Sequence, residues 1–192
     1  MPYNYSLKTS GTYTTARNCF MGQSTSKLAL DYAQSFFKTY NLERKFFHTR
    51  IISTNEYTGE SNRFVDEEIA DFLKSMDASG HLDNTILMFY SSHGDSINSF
   101  MKDSSNGVSE KMNPFMFMMV PELLNKTAGK FLKANQQKLV TNYHLFSTLF
   151  NYWKDEITPG PGVLDHKSLI SAEIDSSLDC EKAHILNLCQ CT

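Results

Sequence analysis

Two short apolar runs constrain the fold of this chain most strongly, because large side chains follow one another in them without alternation. The first run is Thr85–Ser91, and the second, Phe115–Val120, lies between Pro114 and Pro121. Strands that are buried on both faces have this composition, although a buried helical segment can look similar. The shortness of the first run, together with Gly94 shortly after it, favours a strand.

Three other segments carry apolar residues at the spacing of an amphipathic helix. They are Lys27–Tyr40, Val65–Met76 and Leu145–Trp153. Asp66–Glu68 are placed in the first turn of the second helix, where negative charge complements the helix dipole. Gly80 is a natural stop for the same helix.

Helices that alternate with buried strands predict a layered α/β sheet. Phe46–Ile52 is a plausible further strand between the first two helices. Residues 1–24 are polar and predicted to be irregular, residues 25–158 form the α/β domain, and residues 159–192 form a coil-rich tail that contains cysteines.

Charge and hydropathy exclude several classes of function. The net charge is -3 and the pI is near 6.1, which gives no electrostatic footprint for nucleic acid. No block of Lys and Arg suggests a membrane surface, and the apolar runs are far too short to span a bilayer. The first residues lack the apolar stretch of a signal peptide, which by itself favours the cytosol.

The four cysteines suggest a different compartment. Cys180, Cys189 and Cys191 lie close together near the end of the chain, and Cys19 lies near its start. This arrangement is compatible with disulfides, which form in oxidising compartments, and equally with free thiols. The spacing is not that of a zinc finger.

Two segments match the acceptor sequence for N-glycosylation. They are Asn4-Tyr5-Ser6 and Asn125-Lys126-Thr127. Two such matches also arise easily by chance, so the sequence alone leaves both open.

Among the residues of the chain, His93 is the strongest candidate for metal binding or catalysis. It follows the first apolar run directly, and in open α/β sheets ligands bind beyond the carboxyl ends of the strands. A histidine there either binds a metal or catalyses, or it is a hydrogen-bonded structural residue, which is the commoner case for an isolated histidine. His144 and His48 are interpreted as ordinary core or surface histidines.

The segment around His93 resembles the strand-then-Ser-Asp-His-Gly motif of the alkaline phosphatase and sulfatase superfamily. It is most similar to a large group of uncharacterised, sulfatase-like extracellular proteins, known only as a domain of unknown function. The resemblance covers most of the chain, and its strength is the order of its elements. These elements are Cys19, Leu30–Tyr32, Phe36, Phe46–Phe47, Asp66, Asn84–Ile86, Ser91–Gly94, Glu110, Asn113–Phe115, Val120–Glu122, Asn135, Leu139, Thr141, Tyr143–Leu149, Ser168–Leu169, Cys180, Cys189 and Cys191.

The resemblance implies a three-layer α/β/α sandwich of alkaline-phosphatase type, of which residues 25–158 are the C-terminal half. It also implies an extracellular protein whose nucleophile (a Thr, Ser or modified Cys) belongs to an N-terminal half that the chain does not contain. In the superfamily, the Asp and His of the motif both bind a divalent ion, usually zinc, calcium or magnesium.

The chain departs from this pattern in two places. Ser92 stands where the motif has its aspartate, so His93 would be the remnant of a degenerate metal site. Asp95 is near in sequence, but nothing directs it to the same side as His93. Relatives also often carry a His-Asp pair where this chain has Ser53-Thr54-Asn55-Glu56, and Asn55 cannot serve as an acid or base. We therefore expect no catalytic residue and no cofactor, with a residual divalent ion as the alternative.

Three functions follow from the resemblance. The first is a catalytically inactive portion of a sulfatase- or phosphatase-like protein. The second is a secreted binding or structural module, and the third is a piece of an active, metal-dependent ester hydrolase. No partner is identified by the sequence.

The tail cysteines are expected to form a disulfide, because a tail with little core of its own needs a cross-link. We expect Cys180 to pair with Cys189 or Cys191, which would contribute about 2–3 kcal/mol by the chain-entropy argument. The remaining tail cysteine would then pair with Cys19 or with a cysteine in the N-terminal half.

Overall fold

The computed structural model describes residues 19–54, 61–94, 104–153, 167–183 and 185. These residues have a mixed α/β architecture with five helices and two small sheets of two strands each. The α/β class predicted from the sequence is confirmed, whereas a three-layer sandwich is not confirmed. The elements are β1 (Cys19–Phe20), β2 (Gln23–Ser24), α1 (Thr25–Thr39), α2 (Ser61–Ala78), β3 (Leu87–Tyr90), α3 (Ser105–Met112), β4 (Met116–Met119), α4 (Glu122–Asn135) and α5 (Asn142–Trp153).

The chain divides into two compact units. The first contains residues 1–81 and 95–107, and the second contains residues 82–94 and 108–192.

The first unit begins with a small antiparallel hairpin. Cys19 on β1 lies opposite Ser24 on β2, and the two turn residues, Met21 and Gly22, have φ angles of 51° and 80°. Two successive residues with positive φ are typical of the tight turns that suit a two-residue hairpin. The polar composition of residues 1–24 predicted irregular structure here. The hairpin was missed, since a methionine at positive φ is uncommon and gives no turn signal.

The predicted helices Lys27–Tyr40 and Val65–Met76 are confirmed as α1 and α2. Ser24 caps α1, since its Oγ accepts a hydrogen bond from the backbone N–H of Lys27 at 3.0 Å. The two helices pack against each other. The side chains they bury are Leu30, Ala33, Val65 and Met76.

The prediction that Asp66–Glu68 lie in the first turn of α2 is wrong. The helix begins at Ser61, more than a turn earlier, and no acidic residue lies in its first turn. Glu68 instead accepts a hydrogen bond from the hydroxyl of Ser26 on α1.

The stop signal at Gly80 is confirmed. Gly80 has a φ of 72°, and the next residue, His81, donates its backbone N–H to the carbonyl of Met76 at 3.0 Å. A left-handed residue followed by such a bond is the common way in which a helix terminus satisfies its last carbonyls.

The strand predicted at Phe46–Ile52 is wrong, because these residues have no regular structure. The Phe47 ring instead packs on α1, with its centroid 5.3 Å from that of Phe36 and 6.3 Å from that of Phe37. Packing against a helix thus accounts for Phe47, whereas Phe46 and Ile52, which also favoured a strand, are exposed.

In the second unit, β3 and β4 form an antiparallel pair. Leu87 lies opposite Met119, and Phe89 lies opposite Phe117. Both predicted runs therefore contain a strand, but burial on both faces is wrong, since Phe117 is 68% exposed and Phe89 39%. Among the described residues each of these strands has only the other as a neighbour.

The remaining predicted helix, Leu145–Trp153, is confirmed as the greater part of α5. Its first turn is closed by His144, whose Nδ1 accepts the backbone N–H of Thr141 at 3.1 Å. His144 is only 2% exposed, so of the two interpretations, core or surface histidine, the structure shows a core histidine.

Candidate functional site

His93 lies three residues beyond the last residue of β3. The pairing of β3 with β4 continues one step further than the strands themselves, because Ser91 donates its N–H to the carbonyl of Phe115 at 3.0 Å. The N–H of Phe115 in turn donates to Ser91 Oγ at 3.1 Å. The histidine therefore follows directly on a fixed end of the strand pair, as the sequence predicted.

The imidazole of His93 is exposed, and one of its two nitrogens is engaged locally. Its Nδ1 lies 2.5 Å from the carbonyl oxygen of Gly94. A carbonyl only accepts hydrogen bonds, so this contact places the proton of a neutral ring on Nδ1. Nε2 is then the nitrogen with a lone pair for any ligand.

Gly94 lies against the end of α3 more closely than any other residue type would permit. Its N–H donates to the carbonyl of Lys111 at 2.9 Å. A Cβ at this position would lie 2.8 Å from the carbonyl carbon of Glu110 and 2.9 Å from Cα of Lys111. Both obstacles are backbone atoms, so the segment that follows β3 is held by a contact that requires glycine.

The described residues around His93 do not fit the divalent-ion site of the superfamily. Ser92 is exposed and supplies a neutral hydroxyl where the motif has a carboxylate. In the part of the chain that the structure describes, no three His, Cys, Asp or Glu side chains form a group that could hold a metal ion. Asp95, Asn55 and Glu56 lie outside that part, and Ser53 is buried in the first unit.

The two described cysteines are in different states. Cys180 is disulfide-bonded, whereas Cys19 is an exposed free thiol. Cys19 is therefore not the partner of a tail cysteine in this structure, and the alternative, a cysteine in the N-terminal half, stays a prediction. Cys189 and Cys191, the expected partners of Cys180, lie outside the described residues.

An open cleft of about 520 Å³ lies in the first unit, and sequence reasoning did not anticipate it. Its described lining contains two basic side chains and no carboxylate, so it lacks the anionic oxygen ligands that magnesium and calcium sites usually include. The lining residues are Gln34, Ser35, Lys38, Ser79 and His81.

Sequence reasoning also missed how the tail is attached within the second unit. Asn135, at the end of α4, is 4% exposed, and its side chain bonds to three backbone groups of the tail. Thr148 on α5 is 1% exposed, and its Oγ1 accepts the N–H of Leu169 at 2.8 Å. The sequence offered one signal, an asparagine in the last turn of an amphipathic helix. Because a buried polar side chain without a partner is costly, such a residue indicates a hydrogen-bond partner elsewhere in the chain.

No described helix combines the length and the apolar character that crossing a bilayer would need.

The family described as Protein of unknown function (DUF229) matches residues 2–192. No curated protein matches the chain, and no solved structure matches it. Because the match extends over nearly the whole sequence, the chain belongs to the family described as Protein of unknown function (DUF229).

Proposed function

We propose that this chain is a non-catalytic portion of a sulfatase-like extracellular protein. The proposal rests on one observation: Ser92, and not an aspartate, immediately precedes His93 after β3. An exposed imidazole beside a neutral hydroxyl lacks the anionic partner with which such sites hold a divalent ion. Without that ion, a phosphate or sulfate ester would be neither polarised nor attacked by an activated nucleophile.

The contact at Gly94 supports a structural role for the same segment. The glycine holds the turn against Glu110 and Lys111 whether or not His93 binds a ligand. A chain without catalytic activity would still need this turn in order to fold. The packing contact of Gly94 therefore gives the segment after β3 a structural role.

A second candidate, a secreted binding or structural module, is favoured by the exposed aromatic side chains of the strand pair. The ring centroids of Phe89 and Phe115 are 5.3 Å apart, and those of Phe115 and Phe117 are 5.7 Å apart. All three rings are exposed. Contiguous exposed aromatic surface is characteristic of sites that another polypeptide covers.

The proposal predicts that the purified chain does not hydrolyse nitrophenyl phosphate or nitrophenyl sulfate above background. A calorimetric zinc titration separates the two candidates. The wild type is compared with His93→Ala and with His48→Ala, which removes another exposed histidine. Zinc binding that only His93→Ala abolishes would identify the relic of an enzyme, whereas the same titration curve for all three proteins would favour the binding module.

A further inference from the structure

The second acceptor sequence for N-glycosylation, Asn125-Lys126-Thr127, lies on the surface of α4. All three side chains are exposed. Asn125 is in the first turn of the helix, and its backbone N–H donates to the carbonyl of Pro121 at 2.8 Å. The acceptor amide is therefore at the accessible beginning of a helix and does not belong to the packed core.

The Asn125 amide lies against a glycine one turn further along α4. The next helical turn carries Gly129, and a Cβ there would lie 3.1 Å from Cγ of Asn125 and closer still to its Oδ1. Residues four apart occupy the same face of a helix, so any larger side chain at 129 would compete with the Asn125 side chain. The Asn125 side chain therefore lies along the helix surface against Gly129, in contact with the helix and not with the packed core.

The state of Cys180 provides an independent observation. Its disulfide belongs to an oxidising compartment such as the lumen of the endoplasmic reticulum. Asparagine-linked glycans are attached in that same compartment. A chain that passes through it with an exposed Asn-x-Thr sequence meets both requirements for modification.

We propose that Asn125 carries an N-linked glycan. Nδ2 of Asn125 would form the bond to the anomeric carbon of the first sugar of a lipid-linked oligosaccharide. The bond from that carbon to the lipid pyrophosphate breaks, so the pyrophosphate leaves with the electron pair and Nδ2 loses one proton. In the folded chain the Thr127 hydroxyl donates to the carbonyl of Leu124 at 3.0 Å, so a transfer that uses this hydroxyl precedes the formation of α4. The exposure of Asn125 then allows the folded helix to keep the glycan.

The proposal is independent of whether the chain hydrolyses esters. The test uses the full chain, directed by a cleavable leader into the endoplasmic reticulum of cultured animal cells. Total and secreted pools are treated with peptide-N-glycosidase in heavy-oxygen water, and the peptide containing residue 125 is identified by mass spectrometry. Because the transfer precedes folding, a chain that is retained in the cell shows whether Asn125 was glycosylated as well as a secreted chain does.

We expect the heavy-oxygen label at Asn125 and the loss of one glycan step on a gel with Asn125→Gln. Thr127→Ala should cause the same loss, whereas the conservative Thr127→Ser should keep the glycan. Asn4→Gln tests the other acceptor sequence separately and should leave the glycan at Asn125 in place. An unlabelled Asn125 in chains whose Cys180 is oxidised would overturn the proposal, as would a wild-type glycan pattern in Asn125→Gln.

Discussion

Asn135 holds the backbone of Ile174, 39 positions further along the chain, through a hydrogen bond of 2.9 Å from the Ile174 N–H to Asn135 Oδ1. Its Nδ2 donates to the carbonyls of Ala172 at 3.0 Å and Leu169 at 3.3 Å. One side chain thus satisfies three backbone groups of a segment that has no regular structure of its own. This arrangement ties the tail to the end of α4.

Asn135→Ala should destabilise the second unit strongly. The substitution leaves the N–H of Ile174 and the carbonyls of Leu169 and Ala172 without their partner, and each orphaned buried group costs about 1–3 kcal/mol. Partial relaxation of the tail reduces the sum, so we expect a loss of about 2–4 kcal/mol in the free energy of unfolding. Urea unfolding monitored by fluorescence measures it.

The matched control is Asn113→Ala, which also removes an amide that donates to a backbone carbonyl. The Asn113 amide donates to Ser109 on an exposed surface, where water replaces the lost bond. Its effect should stay within about 0.5 kcal/mol. Equal effects of the two substitutions would contradict the role assigned to Asn135.

The pair Gly94→Ala and Gly129→Ala tests whether the turn after β3 needs glycine. At Gly94 the added methyl group meets the backbone of Glu110 and Lys111, which cannot move cheaply, and we expect a loss of about 1–3 kcal/mol. At Gly129 it meets only the flexible side chain of Asn125, while alanine favours the helix by about 1 kcal/mol. Thermal unfolding should therefore shift down for the first variant and remain equal or shift up for the second.

The contrast between helices and strands shows how much of the fold was predictable. The periodic stripes of α1, α2 and α5 identified these helices, because a helix buries one face whatever its neighbours are. The runs at β3 and β4 predicted strands correctly but not their exposure, since a strand's burial depends on neighbours far away in sequence. At Phe47 a similar apolar pattern was satisfied by the rings of Phe36 and Phe37 on α1.

The candidate site was predictable as far as its position. Gly94 shortly after an apolar run favoured a strand that ends before it, and His93 does follow β3. The closeness of Gly94 to Glu110 and the hold of Asn135 on Ile174 depend on tertiary approach, for which a single sequence carries no periodic signal. Such contacts join residues that are far apart in the sequence and that no local pattern relates to each other.

Two tail carboxylates should make the stability of the tail's local turns depend on pH in the acidic range. The pKa of Asp175 lies below its ordinary value of 3.8, chiefly because the backbone N–H of Ser177 donates to the carboxylate. The pKa of Asp179 is lowered likewise, chiefly by the backbone N–H of Lys182. A folded-state pKa below the unfolded one stabilises at pH values above 3.8, and that contribution is lost as the pH falls through the lowered pKa.

Asp175→Asn tests this dependence, because the amide oxygen still accepts the Ser177 N–H but does not titrate. Unfolding curves for wild type and variant, recorded above and below pH 3.8, should converge on acidification. A difference between the two proteins that is the same at every pH would show that the charge of Asp175 has no role in stability.

The exposed aromatic rings of β3 and β4 predict self-association of the isolated chain. An unpaired strand edge next to apolar surface tends to pair with other chains. Phe117→Lys replaces the most exposed of the three rings with a charged side chain. It should reduce aggregation, as measured by light scattering, without changing the circular dichroism spectrum. A wild-type chain that stays a soluble monomer and melts in one cooperative transition would contradict this expectation and favour a self-sufficient module.

The hydrolysis of nitrophenyl phosphate and nitrophenyl sulfate tests the central proposal most directly. The purified chain is assayed with zinc, calcium or magnesium, alongside His93→Ala and Ser92→Asp, which restores the motif's carboxylate. We expect wild type and His93→Ala to be indistinguishable from background with every ion. Metal-dependent turnover by the wild-type chain that His93→Ala abolishes would contradict the proposal and identify the chain as part of an active ester hydrolase.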